Sequence, residues 1–110
     1  MIEAKKGVML SAGGFIYNAD MVNHYAPKYK ASLPLGTEGD DGSGIRLGQS
    51  VGGKADNMDC ISAWRFINPP LSFGRGFIVN KHGKRFIDEW VYGATLGVEM
   101  VENQEGQAWL

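Results

Sequence analysis

Glycine is the residue that most restricts how this chain can fold: 16 of its 110 positions are Gly, about twice the usual share of roughly 7%. The glycines gather at the ends of short apolar runs, as Ala12-Gly13-Gly14, Gly42-Ser43-Gly44, Gly52-Gly53 and Gly74-Arg75-Gly76. Such punctuation describes many short elements joined by tight turns. Gly7-Val8-Met9-Leu10-Ser11 reads as a buried strand that wants cover on both faces and ends in the Ala12-Gly13-Gly14 turn. Asn18 is placed to cap a helix from Ala19 to Tyr25, with Asp20 in its first turn and Pro27 just past its end. The Pro-, Gly- and Asp-bearing stretch 32–41 is a loop. It leads to a second helix over Gly44–Val51 that turns Ile45, Leu47, Gly48 and Val51 toward one face and stops at Gly52-Gly53.

Lys54 to Trp64 is extended, and Asn68-Pro69-Pro70 interrupts regular structure. Phe77–Asn80 and Lys84–Ile87 flank the Lys81-His82-Gly83 turn as the arms of a hairpin, and Leu96, Met100 and Val101 share a helix face further on. The fold class expected is α+β, or α/β. Apolar residues stand near both termini, with Trp109-Leu110 ending the chain, which predicts a slice of a longer polypeptide and self-association by strand exchange.

Composition excludes several functions. With 11 Lys and Arg against 12 Asp and Glu, the net charge of −1 argues against a nucleic-acid clamp. Cys60 is the single cysteine, so neither an internal disulfide nor a Cys-rich zinc module can form. No other metal site is expected. A reducing, cytoplasmic setting follows, and no apolar run approaches the roughly 20 residues of a membrane span.

The candidate chemistry has plain structural alternatives. Gly42-Ser43-Gly44-Ile45-Arg46-Leu47-Gly48 has GxGxxxG spacing after a loop, which is no dinucleotide fingerprint. It serves as a turn and cap, or as a helix N-terminus donating amides to a cofactor oxygen, although Asp40 and Asp41 just upstream would repel a pyrophosphate. Ser11-Ala12-Gly13-Gly14-Phe15 either lets the main chain approach a ligand or simply packs tightly. His24 and His82 have no metal-ligand spacing around them and are read as surface or turn residues, and Cys60 as a small buried apolar group. Trp64, Phe66, Phe73 and Phe77 line a pocket or fill a core, and Tyr92 either donates a proton or packs.

Taken in order, four segments resemble one known family. Lys6-Gly7-Val8-Met9-Leu10-Ser11-Ala12-Gly13-Gly14-Phe15, then Asn18 and Met21, then Gly39-Asp40-Asp41-Gly42-Ser43-Gly44-Ile45, then Ile78-Val79-Asn80-Lys81-His82-Gly83-Lys84-Arg85-Phe86-Ile87-Asp88-Glu89 are similar to the FAD-dependent fumarate reductases and 3-ketosteroid dehydrogenases. The resemblance implies that residues 1–55 belong to an FAD-binding domain and 56–110 to a substrate-capping domain. It implies FAD as cofactor, held in part by Ser11, Ala12, Gly13, Gly14, Phe15, Asp41 and Ser43. The family's flavin-contacting Asp falls at Ser43, which makes Asp41 its substitute. The family's GxGxxG unit is absent from this sequence, so the chain alone should hold FAD weakly or not at all.

The same resemblance distinguishes substrates. The substrate-binding His of fumarate reductases falls at Trp64, no Thr-Glu pair occurs between Arg65 and Phe73, and the Arg four positions after R-F-x-x-E is Gly93. A dianion needs cationic donors, so these exchanges imply a neutral, apolar, steroid-like ketone. Trp64 is then a substrate-binding residue, and Tyr92, three residues beyond Glu89, is the proton handler, whereas the Δ1 enzymes align their tyrosine at Gly93. The implied reaction exchanges hydride and proton across a carbon–carbon bond beside the ketone. The alternatives are a non-catalytic interaction or assembly fragment, or a dicarboxylate reductase.

Overall fold

Asn18 lies in extended backbone (φ −103°, ψ 95°), and its side-chain oxygen accepts from the Met21 N–H, starting helix α1, Ala19–Tyr25. Pro27 then breaks the helix and seeds a short 3-10 turn, Pro27–Tyr29. Helix α2 spans Ser43–Ser50 and α3 spans Gly93–Asn103, with another 3-10 turn at Leu71–Arg75. The computed structural model describes residues 3–67 and 71–110, with the side chains of Leu71 and Phe73 set aside. The expected break at Asn68-Pro69-Pro70 and the pocket role of Phe73 lie outside the described residues. The chain divides into two compact units, Met1–Cys60 and Ile61–Leu110.

In the first unit, Phe15, Val22, Ala26 and Tyr29 form the core. Phe15 meets the edge of Tyr25 with ring centroids 5.9 Å apart. Gly42 precedes α2 at φ +79°, where a β-carbon would lie 2.9 Å from Met21 Cε and 3.0 Å from Phe15 Cβ. Only glycine satisfies both the left-handed backbone and that close approach. The Gly42 N–H donates to the Gly14 carbonyl at 2.9 Å, joining the start of α2 to the Ala-Gly-Gly bend.

The apolar run at residues 7–11 is not a ladder strand here. Val8 is 78% and Met9 90% exposed, and the only β-bridges among the described residues lie in the second unit. A strand is held by hydrogen bonds to neighbouring strands, and none runs beside this segment among the described residues. Leu47 and Val51 also face outward. At 100° per residue Leu47 lies 200° from Ile45, so these two cannot share a face. Gly44, Ile45 and Gly48, which do share one, are half-buried.

The second unit packs around Ile78 and Leu96, the latter 1% exposed. The expected turn at Lys81-His82-Gly83 forms. Asn80 Oδ1 accepts from His82 and Lys84 N–H at 3.0 and 3.1 Å, and Val79 pairs antiparallel with Arg85. Val79 also exchanges two backbone hydrogen bonds with Trp109, at 2.9 and 3.0 Å, so the last apolar run finds its partner there. Lys81 and Glu105 form an ion pair beside this junction. Helix α3 lies against the extended stretch 63–66 through Gly93 and Gly97. At Gly97 a β-carbon would stand 2.6 Å from the Ala63 carbonyl carbon and 2.8 Å from the Trp64 nitrogen.

Candidate functional site

Two sets of residues stand out, one in each unit. In the first, a groove of about 330 Å³ is lined by Leu10, Ala12, Gly13, Gly44, Ile45 and Gly48, with Lys54, Asp56 and Met58 at its rim. Two of the five residues expected in the Ser11–Phe15 bend, Ala12 and Gly13, are on its wall. Ala12 also explains Gly44: a β-carbon there would sit 2.7 Å from the Ala12 methyl carbon. Phe15 instead turns into the core. At Gly14 a β-carbon would meet nothing within 4 Å, so the space over that residue is open.

The bend is set by Asp40. Its Oδ1 accepts from the Gly14 N–H at 3.3 Å and its Oδ2 from the Thr37 N–H at 3.0 Å, while its carbonyl accepts from the Tyr17 N–H at 3.0 Å. A carboxylate expected to repel an anion is therefore the brace that shapes the groove edge. Asp41 Oδ1 accepts from the Ser43 N–H at 2.8 Å, capping α2 from just before its first residue, and Oδ2 lies 3.7 Å from Arg46 Nη2. The Ser43 hydrogen bonds, then the Arg46 charge, hold the Asp41 carboxyl below its ordinary range. Asp41 and Ser43 are thus together at one helix end, in the turn-and-cap arrangement.

In the second unit the central polar group is Glu89. It is 7% exposed, and both of its carboxylate oxygens accept hydrogen bonds. Its Oε1 accepts from the Ile78 N–H at 2.8 Å and Arg85 Nε at 3.1 Å, and its Oε2 from Arg85 Nη2 at 2.6 Å. The two arginine bonds, then the Ile78 amide, bring its pKa down to about 2. Arg85 in turn stacks over the Phe77 ring, 5.6 Å from the centroid. Phe77 thus serves this brace.

The brace holds the loop that enters α3, and Tyr92 is the residue before that helix. The Tyr92 ring, 65% exposed, meets Trp64, 41% exposed, with centroids 4.8 Å apart at 75°. Trp64 also contacts Phe66 at 5.6 Å. The structure therefore brings together the expected proton handler and the expected substrate-binding residue. Behind them, Arg65, Phe66, Trp90, Gly93 and Leu96 line a smaller hollow of about 140 Å³. His24 and His82 are exposed, as expected. Cys60 is exposed, contrary to expectation, because residues 53–59 before it form loop and turn that is mostly exposed as well. No group of His, Cys, Asp and Glu able to hold a metal is present among the described residues, and no helix there is long and apolar enough to cross a membrane.

Over 83 residues, 76% of its length, the chain is 58% identical to 3-oxo-5-alpha-steroid 4-dehydrogenase of Comamonas testosteroni, of which it covers 16%. The chain belongs to the fumarate reductase and 3-ketosteroid dehydrogenase family. It is also 31% identical over 101 residues to 3-oxosteroid 1-dehydrogenase of Mycobacterium tuberculosis, spanning 18% of that protein. A solved structure, 3-ketosteroid-delta4-(5alpha)-dehydrogenase of Rhodococcus jostii RHA1 in complex with 4-androstene-3,17-dione, matches 96% of this chain with a TM-score of 0.81 and 31% identity. That match covers 22% of the solved chain. No family model matches. The chain spans less than a quarter of these relatives' lengths.

Sequence reasoning missed Asp40 as the groove brace and the glycine seat under Trp64. The first had a signal, since an Asp at the end of a Gly- and Thr-bearing turn commonly bonds backbone amides. The second had none, because Gly93 and Gly97 reveal their neighbours only after the chain folds.

Proposed function

We propose that this chain is the part of an FAD-dependent oxidoreductase that joins its cofactor-binding domain to its substrate-capping domain, in an enzyme of α+β architecture. Its substrate is a steroid-like ketone, altered at a carbon–carbon bond beside the carbonyl. The observation that carries this reading is the 58% identity to a 3-oxo-5-alpha-steroid 4-dehydrogenase.

The groove against the Ala12-Gly13-Gly14 bend suits a flat, largely apolar ring. Its lining includes Leu10, Ala12, Ile45, Met58 and backbone at four glycines, with Gln49, Lys54 and Asp56 as its polar members, and a methyl at Gly44 would collide with Ala12. Ala12, Gly13 and Gly14 would hold FAD there by main-chain approach, with Asp40 fixing their conformation and Asp41 and Ser43 fixing the helix end beside them. Bound FAD supplies the two-electron redox chemistry of the reaction.

The second unit supplies the substrate side. Trp64 and Phe66 present aromatic surface, which binds an apolar ring system through area and dispersion and offers no cation to a dicarboxylate. As the double bond beside the ketone forms or is reduced, one carbon exchanges a hydride and its neighbour a proton. The Tyr92 phenol takes or gives that proton, a role open to tyrosine in general acid–base catalysis.

Turnover tests the reading. The enzyme made from its full reading frame should process a 3-ketosteroid with a dye as electron partner and leave fumarate untouched. Fumarate reduction without steroid turnover would refute it.

A further inference from the structure

We propose that Trp64 is the positioning residue of Tyr92, acting through the tyrosine ring as well as offering surface to the substrate. The inference rests on the reading of Tyr92 given under Proposed function, and it goes beyond that reading in assigning what aims the phenol.

Tyr92 stands outside the regular part of α3 and has extended backbone, with φ −55° and ψ 133°. With its ring 65% exposed, the phenol would sweep several rotamers unless something fixes the side chain. The ring contact found for it among the described residues is a T-shaped one with Trp64, 4.8 Å between centroids at 75°. That is the geometry in which the positive edge of one ring meets the negative face of another.

Trp64 is itself well fixed, at both backbone and ring. The next residue, Arg65, donates its N–H to the Gly93 carbonyl at 3.0 Å. That bond ties the backbone carrying Trp64 to the residue following Tyr92. Gly93 and Gly97 make this approach possible, since a β-carbon at Gly93 would lie 2.9 Å from the Arg65 carbonyl oxygen and one at Gly97 2.8 Å from the Trp64 nitrogen. The Trp64 ring also contacts Phe66, with centroids 5.6 Å apart and planes tilted by 40°. Phe66, Trp64 and Tyr92 form a row of ring contacts, one tilted and one T-shaped, beside the Arg65–Gly93 backbone hydrogen bond. Small errors in placing a reacting group are costly: about 1 Å can remove roughly 100-fold in rate.

The test has two arms. The first uses the enzyme made from its full reading frame, with tyrosines selectively labelled, and reads the ring protons of Tyr92 by NMR. T-shaped packing against the Trp64 indole shifts them away from free-tyrosine values. Trp64→Ala should return them to those values, and Trp64→Phe, which keeps an aromatic face, should retain much of the displacement. Unchanged Tyr92 resonances in Trp64→Ala would overturn the proposal, whatever the kinetics. The second arm uses the enzyme from its full reading frame with a 3-ketosteroid. Trp64→Ala should lower kcat roughly 10- to 100-fold with a smaller change in KM, and Trp64→Phe should restore most of it. In a Tyr92→Phe background the same Trp64→Ala change should cost no more than about twofold, because residues acting as one unit are not additive. A rise in KM at constant kcat, or full additivity of the two substitutions, would overturn the proposal and leave Trp64 a substrate wall. Full turnover by Tyr92→Phe would refute the proton-handling reading itself, and with it any kinetic consequence of Trp64.

Discussion

Replacing Gly97 by alanine should destabilise the second unit, even though Gly→Ala inside a helix normally does the opposite. Gly97 lies within α3, where alanine is favoured by roughly 0.8–1.0 kcal/mol on intrinsic helix propensity. The new methyl, however, would stand 2.6 Å from the Ala63 carbonyl carbon and 2.8 Å from the Trp64 nitrogen, both backbone atoms with no rotamer to escape into. Overpacking of that kind costs about 1–3 kcal/mol. Moving the 63–66 stretch outward also breaks the Arg65 N–H to Gly93 carbonyl bond, worth about 0.5–1.5 kcal/mol net. After subtracting the propensity gain, the expected loss is about 0.5–3.5 kcal/mol, centred near 2. All three tryptophans, Trp64, Trp90 and Trp109, belong to the second unit, so intrinsic tryptophan fluorescence in a urea titration reports that unit alone. Gly48→Ala in α2 is the matched control. Its methyl would meet only the flexible end of Leu10, 3.3 Å away, and first-unit stability, read from hydrogen exchange of the α2 amides, should hold or rise by up to about 1 kcal/mol. A Gly97→Ala protein as stable as the parent, or more so, would refute the close approach between α3 and residues 63–66.

Further outcomes follow from the polar braces and the left-handed turn. Glu89 has a folded pKa near 2, below its ordinary 4.5. Its contribution is therefore complete above the ordinary value and is lost as pH falls through the folded one. The urea midpoint by tryptophan fluorescence should decline between about pH 5 and pH 2, and Glu89→Gln should show a lower midpoint at neutral pH with that acid slope reduced. Asp40→Ala removes the acceptor of two amides, so hydrogen exchange at Gly14 and Thr37 should accelerate while the Asn18-capped turn of α1 stays protected; equal exchange with the parent would remove Asp40 as the brace. Gly42→Ala forces a side chain into a left-handed conformation against Met21 and Phe15, and should cost the first unit at least the roughly 1–2 kcal/mol of that backbone penalty, read from its thermal unfolding.

Features encoded within a few residues were legible in the sequence. Asn18, three positions before the amide it caps, defines the start of α1, and Asn80 with Gly83 defines the hairpin turn, because in both cases donor and acceptor belong to one short window. Features that depend on distant parts of the chain were not. The apolar run at residues 7–11 has strand character, but a strand also needs neighbours, and no described residue pairs with it. Leu47 is apolar like Ile45, but two helix positions diverge by 200°, so composition alone cannot put both on one face. The local bonds of Asp40 and Glu89, to the Thr37 amide and to Arg85, fall within one short window, but the amides of Gly14 and Ile78 come from 26 and 11 residues away, and only folding brings them in. The aromatic residues of the candidate site were legible as residue types at motif positions. Their packing together was not, since it depends on two glycines in α3 that admit the extended stretch.

If this chain belongs to a flavin enzyme that acts on a steroid-like ketone, anaerobic flavin spectroscopy on the enzyme made from its full reading frame gives the decisive reading. The protein should purify with a flavin absorbance band. Addition of a saturated 3-ketosteroid should bleach that band, or the enone product should restore it after chemical reduction, with dicarboxylates doing neither. A protein that binds no flavin, or whose reduced flavin is reoxidised by fumarate and indifferent to ketosteroids, would contradict the account.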